Sequence, residues 1–289
     1  MVAFKTRSWS DYELIDCGNG KKLERFGSKV LIRPEHKAIW KPGLDYSSWQ
    51  KQADAEFKAS HSQKGEWISK SRIEPWQMNW SSGKKDIRFN LELTKFKHVG
   101  IFPEQSVNWH TLSDAIPKLG KDPRILNLFA YTGAASLVSK AAGGDVYHVD
   151  SVRQVISWAK RNMELSNISG IRWVLEDAFK FANRERKRGN KYQVIIMDPP
   201  AYGIGARGER WKIEDSIQQL MDIAMSLLDP KRHLLIVNTY TPSISPSALL
   251  SVYRSVSKER GDVRSAELTV ESKTGMILPF GATLQKVKL

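Results

Sequence analysis

The sequence predicts an α/β protein, with a mostly parallel sheet covered by helices and a smaller strand-rich domain ahead of it. Three observations carry this. From about Arg124 onward, short β-prone segments alternate with segments of helical period. Strands alternating with helices of that length imply crossover units and a parallel sheet covered on both faces. Residues 1–90 have a different texture. They hold six of the ten tryptophans and many short apolar pieces broken by Gly, Pro, Ser and Asn. The expected organisation is therefore a small domain over 1–90 and a main domain over 91–289. The 289 residues are enough to bury a core in both.

In the N-terminal part, Phe26–Arg33 and Gly65–Ile73 read as short strands, and Asn19-Gly20 is a hairpin-turn dipeptide. In the main part, Arg124–Leu128 is a short apolar strand and Ala134–Ala142 a small-residue helix. Asp145–Asp150 is a strand. Ser151 opens a helix to about Asn167, with Val152, Val155, Ile156 and Ala159 as its apolar stripe. Ile171–Leu175 is a strand and Ala178–Arg188 a basic helix. Tyr192–Met197 and His233–Thr239 are strands flanking an amphipathic helix over Ile213–Leu228. Ser245-Pro246 opens a helix to about Arg260, with proline in the first turn. Two strands close the chain, near Ala266–Ser272 and Ala282–Lys288, and Pro279–Gly281 fits a turn before the last.

In parallel α/β sheets ligands bind at the carboxyl ends of the strands, near the point where strand order reverses. The first such loop is Phe129-Ala130-Tyr131-Thr132-Gly133, followed by Ala134, Ala135 and Ser136. Gly133 lets backbone approach a ligand, and the small residues start the helix close to the sheet. The pattern is neither GxGxxG nor GxxxxGK[ST], which disfavours a dinucleotide pyrophosphate and ATP hydrolysis. Asp150 follows seventeen residues after Gly133, where an acidic side chain can accept ribose hydroxyls. It could equally cap a helix together with Ser151. Asp177 ends the third strand, where it can accept an adenine amino group while Ala178 leaves room for the ring; a helix cap is again the alternative. The fourth strand ends in Asp198-Pro199-Pro200-Ala201-Tyr202-Gly203. Two prolines force a rigid extended loop. It offers the Asp198 carboxylate and the Pro199 carbonyl as fixed acceptors beside an aromatic that can stack on a planar ring.

Composition bounds the chemistry. The net charge of +14 favours nucleic acid as a partner, and the ten tryptophans add weak support through base stacking. No apolar run approaches the ~20 residues that span a bilayer, and Met1–Ser10 has no apolar stretch resembling a secretion signal. A cytoplasmic protein is expected. The single cysteine, Cys17, excludes an internal disulfide framework and a multi-cysteine metal cage. His98, His110, His148 and His233 have no metal-site spacing, so no metal is expected.

Leu126–Gly133, Val149-Asp150-Ser151, Glu176-Asp177-Ala178 and Asp198–Gly203 resemble successive motifs of class I S-adenosylmethionine-dependent methyltransferases. More narrowly, they are similar to the bacterial large-subunit ribosomal RNA methyltransferases that modify cytosine C5 or guanine N7. The segment Lys95–Gln105 resembles the stretch that precedes the first motif in that group. The resemblance covers about residue 90 to the end. It implies a Rossmann-like sheet, mostly parallel with the last strand antiparallel, and S-adenosyl-L-methionine as cofactor. By motif position, Asn127, Phe129, Ala130, Thr132 and Gly133 would surround its methionine part. Asp150 and Ser151 would take the ribose, Asp177 and Ala178 the adenine. Phe102 and Gln105 would close the pocket. Asp198, Pro199 and Tyr202 would face the target, with Asp198 also near the cofactor.

One departure bears on mechanism. Methylation at cytosine C5 requires a cysteine thiolate that first adds to C6. In the cytosine branch it follows the fifth strand, but here that strand reads Leu234–Thr241 without cysteine. Cys17 reads as a buried apolar residue. A nitrogen in an RNA base, with rRNA processing as the setting, is the expected target. A protein or small-molecule methyltransferase and a non-catalytic RNA-binding relative are the alternatives. Asn238 could touch a base edge or simply end its strand. Gly203–Trp211 reads as a mobile lid offering Arg207 and Arg210 to phosphates, and Arg184–Arg188 as a solvated helix face.

Overall fold

Turn chemistry fixes the first elements of the computed structural model, which describes residues 3–6, 9–61, 64–83, 85–204, 210–259 and 261–289. After β1 (Ala3–Thr6), strands β2 (Tyr12–Gly18) and β3 (Lys21–Phe26) are joined by Asn19-Gly20. Both turn residues take positive φ, 50° and 74°, the primed turn that matches strand twist. The strand expected over Phe26–Arg33 is instead the end of β3, a turn at Gly27 (φ 57°) and β4 (Lys29–Pro34). Helix α1 (Tyr46–Gln52), capped by the Asp45 side chain, leads to β5 (Ala55–His61), which pairs parallel to β4. Strand β6 (Lys64–Ser69) stops short of the expected Ile73. Strands β7 (Trp76–Ser81) and β8 (Asp86–Leu91) form a separate hairpin. The first sheet runs β2-β3-β4-β5-β6.

The main part follows with α2 (Ser106–Ala115), β9 (Arg124–Leu128), α3 (Ala134–Ala141), β10 (Asp145–Asp150) and α4 (Arg153–Leu165). Then come β11 (Arg172–Leu175), α5 (Ala178–Lys187), β12 (Val194–Met197), the short hairpin β13 (Tyr202–Ile204) and β14 (Arg210–Lys212), and α6 (Ile213–Leu227). β15 (His233–Thr239), α7 (Pro246–Val256), β16 (Val263–Glu271) and β17 (Ile277–Lys288) complete the chain. The large sheet runs β1-β16-β17-β15-β12-β9-β10-β11. β9 pairs parallel with β10 and β12, β10 with β11, and β12 with β15, whereas β17 lies antiparallel to β15. The sheet is thus mostly parallel with an antiparallel last strand, as the family resemblance implied. β12 and β15 are buried at every position, the mark of strands covered on both faces.

By residue contacts the chain divides into two compact units. One comprises Met1–Phe4, Asn108–Leu268 and Gly281–Leu289; the other comprises Lys5–Val107 and Thr269–Phe280. The core of the first gathers Leu126, Ile195, Met197, Leu220, Met221 and Tyr253, with α5, α6 and α7 side by side. The second packs Leu23, Ile32 and Trp49.

Two expectations are corrected here. Val152 does not sit on the buried stripe of α4; it precedes the helix and is exposed, while Ile156, Trp158, Ala159 and Asn162 are buried. Pro279–Gly281 is not a turn but lies inside β17, and the turn is at Lys273–Gly275, where Gly275 has φ 83°. Gly281 serves a close strand approach instead: a Cβ there would stand 2.2 Å from the Thr239 carbonyl oxygen. None of the ten tryptophans is exposed. Five have a tethered edge: the indole N–H groups of Trp9, Trp40, Trp67, Trp76 and Trp211 all donate to backbone carbonyls.

Candidate cofactor and target site

Strand register brings the four predicted loops together. Leu128 lies beside Val149 and Met197, Asp150 beside Leu175, and Met197 beside Val237. The carboxyl ends of β9, β10, β11, β12 and β15 are therefore level. The connection from β9 runs to β10 on one side, while β12 lies on the other, so strand order reverses between β9 and β12. That is where ligands bind in such sheets.

The loop after β9 is a strained turn held by its neighbours. Phe129 (φ 58°), Tyr131 (φ 50°) and Gly133 (φ 89°) all take left-handed backbone. For residues with a Cβ this conformation costs about 1–3 kcal/mol each. Four hydrogen bonds hold it. Ala130 N–H donates to the Val149 carbonyl at 3.1 Å, and Gly133 N–H to the Ala130 carbonyl at 3.1 Å. Tyr131 N–H donates to Asp150 Oδ2 at 2.9 Å. The buried Asn162 amide donates to the Thr132 carbonyl at 3.0 Å. A Cβ on Gly133 would press on Ala159 Cβ at 3.0 Å, so glycine is required by both φ and space. Ala130 and Thr132 are buried in this turn. Asn127 lies beneath it, buried, and its amide donates to Ser136 Oγ at 2.9 Å.

Asp150 uses one oxygen on Tyr131 N–H and the other on Val152 N–H at 2.9 Å. A carboxylate offers about four acceptor sites, so capacity remains there for a further donor such as a ribose hydroxyl. Burial raises its pKa against the opposing pull of the Val152, Tyr131 and Ser151 backbone bonds. Ser151 follows it, exposed. Asp177 is the N-cap of α5, accepting from Lys180 N–H at 2.8 Å through Oδ1. No described group donates to its other oxygen. Ala178, buried, starts the helix. The alternatives of cap and ligand are thus compatible: each acid serves the backbone and keeps capacity. This acceptor set suits an adenosine held at two strand ends.

The Asp198-Pro199-Pro200 loop is pinned by Trp211, whose indole N–H donates to the Pro200 carbonyl at 2.7 Å. The same indole lies 5.7 Å from the Phe129 ring and 6.4 Å from Phe179. It ties the loop after β12 to those after β9 and β11. Pro199 is buried, and no described group donates to its carbonyl. Tyr202 is 56% exposed. Asp198 lies part-buried between Met197 and Pro199.

Other candidates have partners of their own. Asn238 is buried, and its side-chain oxygen accepts from Asn108 at 2.9 Å and from Thr283. It belongs to a network with Gln285 that braces the sheet, not to a base edge. Phe102 and Gln105 lie in the second unit, where Gln105 N–H donates to the Phe102 carbonyl at 3.1 Å and the Phe102 ring stands 5.0 Å from His98. Arg207 lies outside the described residues, as does the side chain of Arg210. The basic run on α5 is paired in part: Arg184 to Glu176 at 2.6 Å, Arg186 to Asp222 at 3.3 Å and Arg188 to Glu185 at 3.1 Å. The sequence alone gives no supporting role at the site to Tyr131, Asn162, Ser136, His148 or Trp211. A polar residue inside an apolar stripe was the available signal for Asn162, and a histidine within an apolar strand for His148.

A parallel sheet reversing order between β9 and β12, with an antiparallel strand beside β15 and acids at two successive strand ends, defines a class I methyltransferase. The chain belongs to the S-adenosylmethionine-dependent methyltransferase family, whose model matches residues 49–261. A solved SAM-dependent methyltransferase from Agrobacterium tumefaciens is 36% identical, with a TM-score of 0.92 over 100% of this chain and 94% of that one. SMU.776, solved with SAH, shares the fold at 16% identity and a TM-score of 0.67, covering 92% of this chain and 71% of its own. The ribosomal RNA large subunit methyltransferase K/L of Shewanella frigidimarina is 31% identical over 154 residues, 52% of this chain. The match spans only 21% of that relative's length. The protein is therefore a methyltransferase that uses S-adenosylmethionine, and among the described residues no helix is long and apolar enough to cross a membrane.

Proposed function

We propose that this enzyme methylates a base in RNA, ribosomal RNA in particular, and that the acceptor atom is a nitrogen rather than cytosine C5. The observation that carries the reading is the pair of loops that follow the adjacent strands β12 and β15. The first supplies Asp198 and the Pro199 carbonyl, acceptors suited to an amino or ring N–H group. The second has no cysteine. Burial pushes the Cys17 thiol up to about 11, so it is not a ready thiolate. The match to a ribosomal RNA methyltransferase and the charge of +14 support the substrate class. Methyl transfer itself fits a nitrogen target: the cofactor supplies a methyl group on a good leaving group, so the protein mainly has to align a nucleophile and exclude water.

In this reading the chemistry belongs to residues 91–289, with 1–90 as a separate small domain. Phe129–Gly133 with Asn127 below it receives the methionine part. Asp150 and Ser151 take the ribose, Asp177 and Ala178 the adenine, and Asp198, Pro199 and Tyr202 hold the target base. The family resemblance assigns Phe102 and Gln105 to the same cofactor. The test is tritiated methyl transfer to total RNA from a strain lacking the protein, followed by nucleoside mass spectrometry. A base methylated on nitrogen is expected. 5-Methylcytidine would overturn the nitrogen target, and label absent from RNA would overturn the substrate class. Asp198→Ala, run alongside, is expected to lose at least about a hundredfold in turnover, the scale of a lost transition-state contact, while still binding cofactor.

A further inference from the structure

Beneath the strained loop after β9 runs a buried chain of three polar side chains from three elements. Asn127 on β9 donates through Nδ2 to Ser136 Oγ on α3 at 2.9 Å. Ser136 Oγ lies 3.0 Å from Nδ1 of His148 on β10. All three residues are buried. The donor order follows from the chemistry of the groups. The Asn127 amide N–H can only donate, so Ser136 Oγ accepts from it. The serine hydroxyl keeps one proton to give, and when it gives that proton to His148, Nδ1 is the acceptor. In that arrangement the imidazole proton sits on Nε2.

Nε2 is fully buried and has no hydrogen-bond partner. The ring is wedged in place: Trp173 stacks edge-on at 4.7 Å, and a Cβ on Gly133 would come within 3.6 Å of His148 Cε1. Burial drives the ring's pKa down to about 3, and the Tyr131 backbone is the one group that favours charging it. Tyr131 is the residue whose strained N–H is held by Asp150 two positions along the same strand. One strand thus holds the turn with a carboxylate and, one pleat earlier, packs an imidazole beneath it.

We propose that His148 is a positioning residue for cofactor binding: through Ser136 and Asn127, its single-tautomer ring locks the Phe129–Gly133 turn in the shape that receives S-adenosylmethionine. The inference rests on reading that turn as part of the cofactor site. His148 touches no reacting atom. It fixes the underside of the turn, so that left-handed Phe129 and Tyr131 are already in place when the ligand arrives, and binding does not have to supply the strain energy.

Two measurements test it. Imidazole ¹⁵N spectra of the whole protein, with the His148 signal assigned by its loss in His148→Phe, are expected to show the proton on Nε2. A proton on Nδ1 would overturn the chain's direction and the proposal with it. Calorimetric titration with SAH then compares variants. His148→Phe keeps a ring but removes the acceptor, and Ser136→Ala removes the donor. Each is expected to weaken SAH about tenfold, the scale of one lost buried hydrogen bond, and the double variant should be no weaker than either single one. His148→Asn, which restores an acceptor, should bind more tightly than His148→Phe. Unchanged affinity in both single variants, or losses that add in the double variant, would refute the lock. Asp150→Ala separates this from failure of the cofactor-site reading. If it weakens SAH while the His148 variants do not, only the lock falls; if it too is silent, the site reading falls. Should the His148 variants not fold, the signal is assigned by replacing the other five histidines instead, and the tautomer of the wild-type ring still decides.

Discussion

The two compact units hold polar groups in their interiors by different means. The second unit buries charge. Glu24 is fully buried and meets Arg33 Nη2 at 2.6 Å, the Tyr12 hydroxyl at 2.9 Å and Lys22 at 3.6 Å. Burial works to raise the Glu24 pKa, but Arg33 and Lys22 outweigh it and hold it below the usual range. Asp16 is similarly saturated. It accepts from Leu44 N–H at 2.7 Å, Cys17 N–H at 2.9 Å, Trp49 Nε1 at 3.0 Å, Gly43 N–H at 3.1 Å and Thr274 Oγ1 at 2.6 Å. The first unit also buries Glu185 and Lys286, but its sheet holds neutral dipoles: Asn127–Ser136–His148 under the Phe129–Gly133 turn, and Asn108–Asn238–Gln285 across the sheet. Asp150 and Asp177 stand at strand ends, each bonded to the backbone but not exhausted. A carboxylate saturated by its own chain is scaffold; one with remaining acceptor capacity at the end of a parallel strand is available to a ligand. By this criterion Asp150 and Asp177 differ from Asp16 and Glu24, although all four are held by hydrogen bonds.

The sharpest way to break this contrast is Glu24→Gln. It leaves the buried Arg33 without a counter-charge, and uncompensated buried charges of this kind cost about 3–5 kcal/mol. Urea denaturation should register that loss. A change below about 1 kcal/mol would mean that the charged interior of the second unit is not structural. Next in size, Asp150→Ala should weaken cofactor binding by about 1–3 kcal/mol, the cost of removing one member of a buried hydrogen-bonded pair. Calorimetry that finds a stability loss without an affinity loss would move Asp150 to the scaffold class.

Acid offers a third and smaller test. Burial alone drives His148 to about 3 in the first unit, whereas in the second His98 reaches about 3 through burial reinforced by Arg33, Lys97 and Lys22. Both titrate near 6.5 when unfolded. The folded values are the lower ones, so the unfolded state binds more protons between about pH 6.5 and 3. Stability therefore falls as pH drops through that window, by about 1.4 kcal/mol per pH unit for each ring that stays neutral. His148→Phe should flatten this slope. Salt should ease the depression of His98, where neighbouring cations contribute, and leave that of His148 alone. A slope unchanged by His148→Phe would count against a neutral, buried ring.

Much of the first unit was legible because its signals are local. The strands Arg124–Leu128, Asp145–Asp150 and His233–Thr239 match the structure residue for residue. Each is an apolar run with loop chemistry at its carboxyl end. Ser245 caps α7 through its side chain, accepting from Ala248 N–H at 3.2 Å, as the Ser-Pro start implied. The second unit was less legible. Its short strands are separated by turns such as Gly27-Ser28 that resemble interior strand residues until their φ is known. Pro279–Gly281 misled for the complementary reason: glycine can mark a turn or a close approach, and only the Thr239 carbonyl opposite decides between them.

The sequence by itself determined the alternation of strands and helices, the loops that carry small, acidic and proline residues, and the absence of a cysteine after the fifth strand. These are properties of chain order and side-chain type, which local physics reads directly. Only the tertiary structure decided which polar residues are already satisfied. It tied five tryptophan edges to backbone carbonyls and gave Asn238 partners within the sheet. It also placed His148 under the Phe129–Gly133 turn. Hydrogen-bond capacity is spent across distances such as the 130 residues between Asn108 and Asn238, and no local pattern records where it goes.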